Sequence, residues 1–139
     1  MKEEKIKEIV YSNYNDGFHC AEAIVNTIKE VFPEKSEIAC NTVSGFCGGI
    51  GGCKKDICGA LSGGIVALGF IYGRQKGDTD ISKLVLLSAE LRQLFIVEFK
   101  TTICANVIRN IENLTEINGC KDVTAKTTWI LYNMIKNIN

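Results

Sequence analysis

The sequence predicts an all-α fold: a single-domain helical bundle of about five to seven helices around a Gly-rich central helix. Three observations carry this. Apolar residues recur at helical spacing along most of the chain, proline occurs only at Pro33, and strand-type alternation is hard to find. With 139 residues, 46% hydrophobic and 23% charged, the chain suits one globular domain spanning 1–139. No repeat, low-complexity tract or linker divides it.

Ile6, Ile9, Val10 and Tyr14 make one apolar stripe, which predicts a first helix. Asn15-Asp16-Gly17 breaks the chain and can cap a second helix from about Phe18 to Phe32, with Ala21, Ile24, Val25 and Ile28 inward. Pro33 and Ser36 punctuate a short third helix near Glu37–Val43. Eleven of the thirteen glycines then fall between Gly45 and Gly77, beginning with a loop from Gly45 to Cys53. Asp56 is the expected N-cap of a long helix from Ile57 to about Gly73. A further helix runs from Asp80 to near Phe99 and buries Leu84, Leu87, Leu91, Leu94 and Phe95. Thr102 caps a shorter one through Ile111. The last begins near Gly119–Lys121, with Val123, Ile130, Met134 and Ile138 on one stripe.

The segment from Ile57 to Gly73 carries no charge, yet at the helical rise it spans only about 25 Å, short of a bilayer's hydrocarbon core. Its small residues, among them Gly59, Gly63 and Gly64, let neighbouring backbones approach closely, so it reads as a buried central helix and not a membrane span. Sixteen basic and sixteen acidic residues cancel, which argues against a nucleic-acid or anionic-membrane partner. The polar start, Met1-Lys2-Glu3-Glu4-Lys5, lacks a signal-peptide pattern, and a cytoplasmic location is expected.

Seven cysteines (Cys20, Cys40, Cys47, Cys53, Cys58, Cys104 and Cys120) are many for such a chain. An odd number without a secretory signal fits metal binding or thiol chemistry better than a disulfide scaffold. No Cys-x-x-Cys occurs, which excludes thioredoxin-type and zinc-ribbon spacing; one histidine, His19, excludes a Cys2His2 site. A Cys-His hydrolase would have to use His19, whose neighbour Cys20 is expected on another side of the helix. A phosphate-binding P-loop needs Lys straight after its last Gly and then Ser or Thr, whereas here Cys53 intervenes and Asp56 follows Lys54-Lys55.

On the expected helices, Cys20, Cys58, Cys104 and Cys120 each fall near an N-terminus. Free N–H groups and the positive end of the helix dipole favour an anion there, and with it a reactive or metal-binding thiolate. Cys58-Gly59-Ala60-Leu61-Ser62-Gly63 reads CGAxxG. It is preceded by the glycine loop and accompanied by Phe18-His19-Cys20-Ala21-Glu22-Ala23 and by Cys104 and Cys120. In these features the chain resembles the redox-active C_GCAxxG_C_C family over nearly its whole length. The resemblance makes Cys20, Cys58, Cys104 and Cys120 the family cysteines, with Cys40, Cys47 and Cys53 as additions. Related sequence in split-Soret type cytochromes implies an iron–sulfur cluster in this framework. A covalent haem is not expected, because Cys-x-x-Cys-His is missing.

Two functions follow as expectations. In the first, Cys20, Cys58, Cys104 and Cys120 hold an iron–sulfur cluster or another metal ion for electron transfer to a redox partner protein, with Gly48, Gly49, Gly51, Gly52 and Gly59 bringing backbone N–H groups to the cofactor. In the second, a metal-free thiol–disulfide protein or sensor uses Cys58 and Cys20 as the catalytic thiols, with Cys58 as a low-pKa thiolate. No general acid or base is in evidence for turnover of a small substrate. The small-residue surfaces also suit a homodimer.

Overall fold

The computed structural model describes residues 1–112, 114 and 116–138. Helical periodicity becomes six α-helices: α1 (Glu3–Asn15), α2 (Cys20–Val31), α3 (Gly59–Tyr72), α4 (Ser82–Phe99), α5 (Cys104–Ile111) and α6 (Gly119–Lys136). A 3₁₀ helix, Cys40–Phe46, lies between α2 and α3, and no strand is formed among the described residues. The fold is all-α.

The expected third helix at Glu37–Val43 is replaced by this 3₁₀ helix, shifted towards the C-terminus. Its sequence, Cys-Asn-Thr-Val-Ser-Gly-Phe, holds poor α-helix formers and leads straight into the glycine loop.

α3 is buried almost all round, including Gly59, Ala60, Leu61, Ser62, Gly63, Gly64, Ala67 and Leu68, as suits a helix without a polar face. It packs against α2, α4 and α6. Absent side chains set how near those neighbours come. A Cβ on Gly63 would stand 2.8 Å from the Ala21 carbonyl oxygen and 2.9 Å from Ala21 Cα; one on Gly64 would stand 3.0 Å from Leu91 Cδ2. At 14 residues α3 is short, and no helix among the described residues is long and apolar enough to cross a membrane.

α1 closes the bundle against α6. Tyr14 Oη and Thr124 Oγ1 are 2.9 Å apart, the Tyr11 hydroxyl donates to Asp122, and the Met1 amino group donates to Tyr132 Oη at 3.0 Å. Trp129 stacks on Tyr132, which in turn stacks on Phe32, so the aromatics of α6 are packing residues.

Candidate functional site

Two helix starts are tied together before any side chain is considered. Ile57 and Ile103 form an isolated antiparallel bridge. The Cys58 N–H donates to the Thr102 carbonyl at 2.7 Å, and the Cys104 N–H donates to the Asp56 carbonyl at 2.8 Å. Extended backbone thus holds the starts of α3 and α5 together, each with a cysteine at its entrance. Cys58 itself is the N-cap of α3 and Ile103 that of α5, where Asp56 and Thr102 were expected. The bridge explains the shift: Asp56 and Thr102 spend their carbonyls on it, and the helices begin just beyond.

Cys20 is the first residue of α2 and Cys120 the second of α6. Four cysteines therefore stand at four helix N-termini. All four line one cavity of about 240 Å³, with Tyr14, His19, Gly48, Lys54, Gly59, Val107, Ile108, Val123 and Thr124 completing its wall. Cys58 and Cys104 are buried, Cys20 is half-buried and Cys120 is exposed. Among the described residues, no group of three or more His, Cys, Asp or Glu stands in position to hold a metal ion. The sulfurs border a space and do not meet at a point.

The glycine loop supplies the cavity's roof by an unusual route. Gly48, Gly49, Ile50, Gly51 and Gly52 all have positive φ, between 60 and 74°, and so form a left-handed turn. Gly48 lines the cavity, and its N–H favours the Cys20 thiolate. Gly49 is buried, and a Cβ there would stand 2.5 Å from Cys104 Cβ. Gly51 and Gly52 face open space outside the cavity. Ile50 is the misfit: a β-branched residue at φ +70°, 44% exposed. Ile50→Gly is expected to raise unfolding stability by about 1–2 kcal/mol, read by urea denaturation under reducing conditions. An unchanged or lower stability would contradict the strain.

Residues 18–134 match the model of the family described as "Putative redox-active protein (C_GCAxxG_C_C)". The chain belongs to this family. No curated protein and no solved structure matches it.

In this C_GCAxxG_C_C protein, burial outweighs the helix ends. The Ala60 and Leu61 N–H groups favour a Cys58 thiolate, yet loss of solvent, and then the neighbouring Cys20 and Cys104, push its thiol up to about 12. Burial also raises Cys20, with Cys120 and Cys104 adding to it while the Gly48 and Ala21 N–H groups oppose. Cys104 is raised by burial and by Cys120; Cys120, an exposed residue, is raised by partial desolvation of its thiol at the cavity wall, and Lys54 pulls both back. The expected low-pKa Cys58 is thus corrected: its apolar surroundings disfavour the charge more than two amides favour it.

Three neighbours were not legible as site residues. Tyr14 reads as part of a core stripe, and Lys54 follows the glycine run with no signal of a site, yet it borders the cavity while remaining exposed. His19 is the N-cap of α2, not a residue within it, and so lines the same cavity as Cys20, where a different side was expected. Of the additional cysteines, Cys47 donates to Glu22 Oε1 at 3.7 Å and Cys53 to the Gly49 carbonyl at 3.0 Å. None of Cys40, Cys47 and Cys53 lines the cavity.

Proposed function

We propose that this redox-active family member holds an iron–sulfur centre through Cys20, Cys58, Cys104 and Cys120 and exchanges electrons with a partner protein. One observation carries the reading: four thiols, from four separate helix starts, border a single cavity of about 240 Å³.

The donor set fits such a group. Cys thiolates are the usual ligands of iron–sulfur clusters, and N–H groups near the sulfurs tune them. The Gly48 and Ala21 N–H groups favour the Cys20 thiolate, and those of Ala60 and Leu61 favour that of Cys58. A lone zinc ion would draw sulfurs to about 2.3 Å from one point, whereas a cluster fills space between its ligands. When bound, the centre supplies one-electron redox chemistry. The chain's own part is to fix the thiols and keep water off the buried pair, Cys58 and Cys104: Val107, Ile108 and Val123 wall the cavity, and the Ile57–Ile103 bridge fixes Cys58 relative to Cys104. Four neighbouring thiolates repel one another, and a cationic metal core offsets that repulsion.

Anaerobic purification followed by iron, acid-labile sulfide and zinc analysis tests this. Iron and sulfide in similar amounts are expected, lost in the Cys58→Ser and Cys104→Ser variants and retained in Cys40→Ser. A metal-free wild-type protein with every thiol open to titration would sink the reading.

A further inference from the structure

We propose that Lys54 is the built-in counter-charge of the thiol cavity, a positioning residue that sets how readily the site accepts an electron; this rests on the redox-centre reading above. Lys54 is the single Lys or Arg among the residues that line the cavity. The remaining wall is four cysteines, one histidine, two hydroxyl-bearing residues, glycine and aliphatic side chains.

Its backbone is held in place with unusual care. At φ +65° Lys54 occupies the left-handed region, which costs any residue with a Cβ. Its N–H donates to the Gly48 carbonyl at 2.8 Å, and its carbonyl accepts the Ala105 N–H at 2.8 Å. Its Cα lies against Gly49, where a Cβ would come within 2.9 Å. The first contact closes the left-handed turn, and the second ties the turn to α5 beside Cys104. Glycine would serve this backbone at lower cost, as it does at Gly48, Gly49, Gly51 and Gly52. The turn therefore does not explain the lysine side chain.

The cavity does explain it. Four thiolates in apolar surroundings concentrate negative charge, and each electron added increases it. An ammonium at the wall stabilises the more negative, reduced state and raises the tendency to accept the electron. Lys54 and Lys55 are both exposed, but Lys55 does not line the cavity, so it serves as a control of equal net charge.

The test uses the full chain, reconstituted anaerobically with iron and sulfide, as wild type, Lys54→Met, Lys54→Arg, Lys54→Gly and Lys55→Met. Iron content is measured in each, and the midpoint potential is read by spectroelectrochemical titration with a chemical reductant. Lys54→Met and Lys54→Gly are expected to shift the reduction equilibrium by up to about tenfold towards the oxidised form, the scale of one charge at the solvent-exposed edge of the site. Lys54→Arg keeps the wild-type potential, and Lys55→Met leaves it nearly unmoved. Lys54→Gly also raises the unfolding midpoint, because the strain is released while the charge is lost. A merely structural lysine would not move potential and stability in opposite directions. Equal iron content with an unchanged potential in Lys54→Met overturns the assignment, as does an equal shift in Lys55→Met. A wild type that takes up no iron instead overturns the centre, and this inference with it.

Discussion

Gly59→Ala and Gly63→Ala are expected to damage the protein in different ways, although the residues lie one turn apart on the same face of α3. At Gly63 the new Cβ meets backbone: the Ala21 carbonyl at 2.8 Å and Ala21 Cα at 2.9 Å, with Ile24 Cγ2 also at 2.8 Å. Rotamer change relieves only the last of these, so α2 and α3 must move apart. Overpacking of this kind costs about 1–3 kcal/mol, and the α2–α3 crossing lies at the heart of the bundle, so the upper end is expected. At Gly59 the Cβ instead collides chiefly with the Cys20 sulfur, the end of a short side chain that can turn away, while the nearest backbone atom, the Phe46 carbonyl oxygen, stands at a milder 3.1 Å. Gly59→Ala should therefore cost less stability but draw Cys20 off the cavity. Urea denaturation and iron content, measured on both variants, separate the two effects. Gly63→Ala should show the larger fall in stability and Gly59→Ala the larger loss of iron per folded protein. Equal losses of both in the two variants would remove the distinction between packing and ligand placement.

That pair also shows what could be read from residues alone. The helices were legible because burial imposes a period on the sequence, as in the Ile6, Ile9 and Val10 stripe, and because small residues in an uncharged run mark a helix meant for close contact. The four cysteines were legible because helix starts carry local signals. Finer placement was not. Asp56 and Thr102 have the chemistry of caps, but a two-residue backbone bridge competes for the same stretch, and such a bridge leaves no period in the sequence. The loop's glycines announced a tight turn without revealing its left hand, which Ile50 and Lys54 adopt against their own preference. Lys54 and His19 reach the cavity by tertiary placement alone. The direction of the thiol shifts was missed for a similar reason: the helix end is a local feature, whereas the desolvation that opposes it depends on Val107, Ile108 and Val123 arriving from two other helices.

This competition predicts a strong alkaline instability of the metal-free, reduced protein. Cys58 has a folded-state pKa raised from 9.0 to about 12, so the unfolded chain loses this proton first as pH rises. Between those values the folded state holds more protons than the unfolded one, and stability must fall with increasing pH. Three units correspond to roughly 4 kcal/mol, present below about pH 9 and lost progressively towards pH 12. Cys20, Cys104 and Cys120 shift in the same direction, chiefly through burial, and Tyr14 at the same cavity adds to the fall at higher pH. Urea denaturation under argon with a reductant, from neutral pH to beyond pH 10, should show the decline, and Cys58→Ala should flatten it. A stability curve level across that range would refute the buried, protonated thiol. Loading with iron should reverse the sign, because ligand thiols are held deprotonated in the folded state and protons are released as metal binds. The loaded protein is then destabilised by acid where the metal-free protein is destabilised by base. Opposite pH slopes from one chain would show that the burial which disfavours four free thiolates is the same burial that favours their shared ligation.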